Sequence, residues 1–196
     1  MFKKHLACLC ILFITFPAFL FPQTQEKEIH LSLGTVYNFN DNEFHEFWDP
    51  GLGLELEFSF DHPIGELGAG LTLMKFDNTE NASKGFYGIN YYFLFAKNFS
   101  VAQNINLILG FDFGIYEFRF FEDEEEGEEV EEADVEREFA VKLVAGIGYR
   151  FAGSWSVELK TAFNHVYTKK EIDLFNLHLD VTKSFPMSDW LSEILE

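Results

Sequence analysis

Cysteine, basic residues and long apolar segments are all scarce in this 196-residue chain. Both cysteines, Cys8 and Cys10, fall within the first ten residues, so the rest of the chain has neither a disulfide framework nor a thiolate metal site. Lys and Arg number 14 against 33 Asp and Glu, and the net charge of −19 argues against nucleic-acid binding. After residue 21, no apolar run reaches the roughly 18 residues of a membrane-spanning helix.

The first residues have the pattern of a secretory signal peptide. Lys3 and Lys4 form a basic start, and an uncharged apolar run from Leu6 to Phe21 follows. This run is short for a membrane anchor and contains Pro17. We therefore predict that residues 1–23 are a signal peptide, with cleavage between Ala18 and Gln25.

The remainder of the chain alternates between apolar and polar residues with a period of two, which predicts β-strands. Eight segments of about ten residues show this alternation, enough for tilted strands to cross a bilayer. They cover residues 29–39, 52–60, 67–74, 87–95, 105–115, 139–151, 155–163 and 175–181.

The connections between these segments alternate between long and short, as in a barrel with tight turns at one end and loops at the other. The predicted fold is an all-β, eight-stranded, antiparallel up-and-down transmembrane β-barrel over residues 24–185. A three-residue link at residues 152–154 would place Phe151 opposite Trp155 and Arg150 opposite Ser156.

The polar phase of the strands is rich in glycine and in charges of both signs, which favours an inward orientation in a narrow membrane barrel. A soluble lipocalin-like barrel would reverse this assignment, because its apolar phase would fill the interior. The glycines are Gly34, Gly51, Gly53, Gly68, Gly70, Gly110, Gly114, Gly146 and Gly148. The predicted interior polar network comprises Glu55, Glu57, Asp112, Lys142, Arg150, Glu158, Lys160, His178 and Asp180.

Signal peptide, eight strands and alternating loop lengths together resemble the small eight-stranded bacterial outer-membrane barrels, the group of the OmpA transmembrane domain, OmpX, Opa and OmpW. The resemblance implies a multi-pass protein of the bacterial outer membrane, with the lipid bilayer and the barrel-assembly machinery as partners. It also implies that Phe185, which ends the last strand on the outward phase, is an assembly signal. Lys183 occupies a position that is usually apolar in this group, and residues 186–196 extend beyond the usual end.

That extension predicts a periplasmic tail in which Ser188 begins a short amphipathic helix containing Trp190, Leu191, Ile194 and Leu195. At the opposite end, the aromatic residues of segment 41–48 predict a belt at the membrane interface or an adhesive surface.

Residues 122–138, the acidic segment, hold twelve acidic side chains and one basic one. The pattern is typical of a solvated, self-repelling surface loop, and divalent cations or a basic surface ligand are the functional alternative. No EF-hand spacing is present. The candidate cation contacts are Glu122, Asp123, Glu124, Glu125, Glu126, Glu128 and Glu129.

Catalytic chemistry finds little support in the sequence. His178 and Asp180 share the inward phase, but no activated serine accompanies them, and no cofactor motif is present. We therefore expect a non-enzymatic protein of the outer membrane with a structural or surface-interaction role. A narrow passage for small or hydrophobic solutes is one alternative, and a soluble lipocalin-like binding barrel is another.

Overall fold

The computed structural model describes residues 27–39, 43–80, 84–121, 134–169 and 172–194. The predicted signal peptide and the candidate cation contacts at residues 122–129 lie outside these ranges. The strands are β1 (Glu28–Asn38), β2 (Trp48–Pro50), β3 (Gly53–His62), β4 (Gly65–Asn78), β5 (Gly85–Ala102), β6 (Ile105–Phe121), β7 (Val135–Ala152), β8 (Trp155–Val166) and β9 (Ile172–Pro186). A 3-10 helix (Glu43–Glu46) and the helix α1 (Asp189–Ile194) complete the described elements.

Eight of these strands close into one antiparallel barrel, in which each strand pairs with its neighbour in the chain and β1 pairs with β9. The short β2 lies outside this circuit and pairs with the last residues of β4. The predicted eight-stranded up-and-down barrel is therefore confirmed. Among the described residues, no helix is long and apolar enough to cross a membrane.

The two ends of the barrel differ as the sequence predicted. At the turn end, two-residue links at 63–64, 103–104 and 153–154 join successive strands, whereas the loop end carries the longer connections. The strands are longer than the alternation indicated: β5 and β7 each have 18 residues. The turn-end links are correspondingly shorter than predicted.

The predicted pairing of Phe151 with Trp155 is wrong. Ala152 pairs with Trp155, Arg150 pairs with Ser156 as predicted, and Phe151 lies in the register shift between them. Gly153 has φ +52°, a left-handed conformation that suits a two-residue hairpin turn. The bulge takes up the extra residue, so both strands keep their apolar faces outward.

The outer face of the barrel is a belt of exposed apolar side chains. Leu33, Leu54, Phe93, Leu143 and Leu179 are each more than half exposed, and large apolar residues of the other barrel strands share this face. An outward apolar band of this kind is typical of strands that cross a bilayer. It excludes the soluble alternative, in which these side chains would fill the interior.

The inner face is apolar at the loop end, which the sequence analysis did not predict. We call the buried cluster there the apolar plug; it contains Val36, Phe44, Met74, Phe76, Phe86, Tyr116, Phe118, Ala140, Val166 and Leu174, with Trp48, Phe120 and Ile172 against it. Phe44 and Trp48 pack into this cluster, with their ring centroids 5.0 Å apart. The prediction that segment 41–48 forms an interfacial belt is therefore wrong for these two residues.

Glycine permits close contact between strands on the inner face, and a comparison of Gly114 with Gly148 tests this effect. A Cβ at Gly114 would lie 1.9 Å from the carbonyl oxygen of Tyr91, whereas a Cβ at Gly148 would meet nothing closer than 3.5 Å. We expect Gly114→Ala to lower the free energy of unfolding by about 1–3 kcal/mol, because the backbone must shift. Gly148→Ala is the control and should leave it nearly unchanged. Urea unfolding in lipid vesicles measures both, and equal effects would contradict the prediction.

Candidate functional site

Lys160 is the centre of a charged cluster in the middle of the lumen. Its Nζ lies 2.6 Å from Glu57 Oε2, 2.9 Å from Asp180 Oδ2 and 3.6 Å from Glu55 Oε2. Lys160 comes from β8, Asp180 from the neighbouring β9, and the two glutamates from β3, so the pairs with the glutamates cross the lumen. Lys160, Glu55 and Asp180 are buried and Glu57 is partly buried, and the ammonium group and the carboxylates compensate one another's charge.

Lys142 forms a second centre in the same layer. Its Nζ lies 2.9 Å from Asp112 Oδ2, which belongs to the residue paired directly with Lys142, and 3.3 Å from Glu55 Oε1. The ammonium group also lies 3.6 Å from the ring centroid of Tyr92, a cation–π distance. The Tyr92 hydroxyl lies 2.7 Å from Glu55 Oε1 and 2.9 Å from Glu57 Oε1. Glu55 therefore connects both lysines through one carboxylate.

His178 and Asp180 do not form the acid–base pair that their spacing would permit. His178 Nδ1 lies 2.8 Å from Glu55 Oε2, while Asp180 is engaged by Lys160. Both side chains are buried in the charged layer and are almost inaccessible to a substrate. The geometry is that of a structural network.

The structure brings together seven of the nine residues predicted for the interior network and separates the other two from them. Arg150 and Glu158 lie nearer the turn end, where Arg150 Nη2 bonds Glu28 Oε2 at 2.9 Å. Glu158 accepts a hydrogen bond from Thr182 at 3.1 Å. These two residues therefore belong to a separate polar layer, which also contains His30, Asp61 and Ser184.

Sequence reasoning missed Tyr92 as a member of the charged layer. It occupies the inward phase of β5, where tyrosines and phenylalanines stand on both phases and obscure the alternation. The inward phase of the predicted fourth segment contains Tyr92 between Asn90 and Leu94, which was the available signal.

Phe185 lies on the outer face, 44% exposed, and pairs with Ile29 across the junction of β9 with β1. Lys183, on the same face, donates to Ser154 Oγ and extends over the Trp155 ring, 4.9 Å from its centroid. A lysine can occupy this position because its ammonium group reaches the turn end. An assembly role of Phe185 stays a prediction.

Beyond β9, the backbone N–H groups of Leu191 and Ser192 donate to the Ser188 carbonyl at the start of α1. Lys27 Nζ donates to Ser192 Oγ at 2.8 Å, which fastens this helix to the chain just before β1. The periplasmic position of the tail stays a prediction.

No protein-family model matches the sequence, and no curated protein matches it. Solved structures do match the fold. Neisserial surface protein A shares 8% identity over 83% of this chain and 98% of its own, with a TM-score of 0.55. A major outer membrane protein from Thermus thermophilus shares 10% identity over 82% of this chain and 100% of its own, with a TM-score of 0.52.

The attachment invasion locus protein Ail of Yersinia pestis, solved in complex with the heparin analogue sucrose octasulfate, also matches. It shares 10% identity over 82% of this chain and 100% of its own, with a TM-score of 0.50. At these identities the similarity concerns the fold alone. It agrees with the closed eight-stranded circuit. The chain therefore has the fold of the small eight-stranded outer-membrane β-barrels.

Proposed function

We propose that the protein is a non-enzymatic barrel of the bacterial outer membrane that presents its loop end at the cell surface. The observation that carries this proposal is a filled lumen inside an apolar outer belt. The apolar plug fills the loop end, and the cluster around Lys160 and Lys142 fills the middle. With its interior occupied by structural contacts, the barrel has its loops available for interaction.

The charge of the loop end indicates which kinds of partner could bind there. The acidic segment at residues 122–138 follows β6 at this end, runs into the first residues of β7 and carries about half of the excess negative charge. Like charges repel, so a polyanion such as the heparin analogue bound to Ail is a poor ligand for this segment. A basic protein surface or divalent cations fit it better.

Protease treatment of intact cells tests the surface orientation. We expect a protease that cleaves after glutamate to cut the acidic segment in intact cells and leave the barrel strands intact. A variant in which the acidic residues of this segment are replaced by Ser and Gly serves as the matched control and should resist cleavage. Protection of the wild-type segment in cells, together with cleavage in lysed cells, would contradict the orientation.

The alternative of a solute passage receives little support from the cavities in the lumen. A cavity of about 10 Å³ lies beside Asn90, Asn164 and His178, and one of about 40 Å³ lies beside His30, Glu158 and Thr182. The charged layer separates the two cavities. Spaces of these sizes accommodate one or a few water molecules.

Planar-bilayer recordings distinguish a closed barrel from a channel. We expect no discrete conductance steps from the purified protein, because the plug and the charged layer block the lumen in series. A porin reconstituted in the same bilayers is the positive control. Reproducible steps that vanish when the protein is heat-denatured would favour the passage and contradict a closed barrel.

A further inference from the structure

We propose that Glu28, His30 and Asp61 bind one Zn²⁺ ion at the turn end of the barrel. One ligand atom from each of these residues lies within 4.8 Å of the other two. Glu28 and His30 face inward from the start of β1, and Asp61 faces inward from the end of β3. This group is separate from the central charged layer, and it lies where the lumen opens at the turn end.

The strand register explains why a cation is favourable here. Ile29 pairs with Phe60, so Glu28 stands directly opposite Asp61, and Asp61 in turn pairs with Glu66 on β4. Three carboxylates are thus adjacent across three strands, which is unfavourable by repulsion, and Arg150 beside Glu28 compensates only part of their charge. Glu66 is engaged by Ser59 and by Asn98, whose Nδ2 lies 2.7 Å from its Oε2. Glu28 and Asp61 are the acidic residues next to His30; Asp61 Oδ2 accepts a hydrogen bond from the Glu28 backbone N–H at 3.0 Å, and Asp61 Oδ1 faces the imidazole.

The orientation of the His30 imidazole supports metal binding independently of the carboxylates. Its Nδ1 lies 3.0 Å from Ser184 Oγ on β9, and this contact orients Nε2 towards Asp61. A hydrogen bond on one ring nitrogen that fixes the other as a ligand is the usual arrangement around zinc. His30 is 9% exposed, so the ring is held in place by its surroundings.

The separation of the His30 and Asp61 donor atoms also fits zinc. His30 Nε2 lies 3.4 Å from Asp61 Oδ1, which is long for a hydrogen bond to a carboxylate. Two ligands of a tetrahedral zinc ion, each about 2.0–2.1 Å from the metal, are about 3.3 Å apart. The bond from Arg150 to Glu28 uses one carboxylate oxygen and leaves the other available. One imidazole and two carboxylates favour Zn²⁺ over Mg²⁺ or Ca²⁺, which prefer oxygen ligands alone.

Bound zinc would join β1 to β3 at the turn end, beside the junction with β9. Its coordination would be completed by water from the periplasmic side, since three protein ligands leave a fourth position open. The ion would therefore be exchangeable in the folded protein.

Zinc titration of the full-length protein folded in detergent tests the proposal. Millimolar Mg²⁺ is kept in the buffer so that the acidic segment, which offers carboxylates alone, is occupied. We expect one equivalent of Zn²⁺ to bind to the wild type, and His30→Gln and Asp61→Asn each to weaken this binding at least about tenfold. His62→Gln is the matched control, because His62 is a neighbouring histidine outside the proposed ligand set, and it should bind like the wild type.

Two further measurements keep the test decisive. Heat-modifiable gel mobility shows whether each variant is folded, and Co²⁺ substituted for Zn²⁺ gives a visible spectrum that reports nitrogen and oxygen ligands in a four-coordinate site. Folded His30→Gln that binds zinc as tightly as the wild type would overturn the proposal. So would a wild type that binds no zinc in this buffer, in which millimolar Mg²⁺ competes throughout.

Discussion

Replacing Lys160 by methionine is expected to lower the free energy of unfolding of the barrel by about 3–5 kcal/mol, because it leaves buried carboxylates without their cation. The Lys160 ammonium group is the charged partner of Glu57 and Asp180, at 2.6 and 2.9 Å, and it is 7% exposed. Methionine keeps most of the side-chain volume, so the loss measures charge rather than packing. Urea unfolding in lipid vesicles, followed by gel mobility, gives the value.

Two companion variants show whether the loss comes from the charge cluster. Lys169→Met changes an exposed lysine in the connection between β8 and β9 and should alter stability by less than about 0.5 kcal/mol. Adding Asp180→Asn to Lys160→Met should restore part of the lost stability, because one uncompensated carboxylate disappears. A double variant less stable than Lys160→Met alone would show that the Asp180 carboxylate does not need the lysine charge to be tolerated in the lumen.

Truncating Phe86 to alanine should lower the free energy of unfolding by about 3–5 kcal/mol, because the apolar plug is closely packed and the truncation leaves a cavity in it. Phe86 is 1% exposed and stacks on Phe76 with ring centroids 4.7 Å apart. Phe44, Trp48, Phe118 and Phe120 also contact its ring. Equilibrium unfolding in vesicles measures the change.

Phe93→Ala is the matched control for this plug variant. Phe93 belongs to the same strand but is 63% exposed on the outer face, where lipid replaces a rigid protein surface. Truncating Phe93 should therefore lower the free energy of unfolding clearly less than truncating Phe86. The double variant Phe76→Ala/Phe86→Ala should lose less stability than the sum of the two single variants. Each single variant already removes the stacking contact between the two rings, and the double variant cannot remove it twice. Equal losses at Phe86 and Phe93 would show that the plug does not contribute as a packed core.

The period-two alternation predicted the barrel because one face of every strand meets lipid and the other meets a polar interior. That contrast exists only through the middle of each strand. Near the loop end, Phe86, Phe118 and Leu174 face inward while Tyr87 and Phe175 face outward, so both phases are apolar. The strand ends and the apolar plug were missed there because hydrophobicity no longer distinguishes the two faces.

The charged layer was predicted in part for a related reason. Glu55, Lys142, Lys160 and Asp180 are charged residues on an inward phase, and the period alone identifies them. The height of each residue along the barrel depends on the register between strands, which bulges such as that at Phe151 change. Arg150 and Glu158 were therefore predicted to lie in the interior, but the period alone could not show that they lie nearer the turn end than the other seven residues.

The position of the Lys160 cluster relative to the β1–β9 junction has a consequence for the order of folding. Pairing of β1 with β9 joins the first and last strands of the barrel and cannot precede the arrival of β9. Lys160 on β8 meets Asp180 when β8 pairs with β9, but it reaches Glu57 on β3 only once β1 has paired with β9, so the final closure completes the ion pairs that cross the lumen. An unclosed sheet would leave the glutamates of β3 without Lys160 and Lys142, which favours closure and disfavours long-lived open forms.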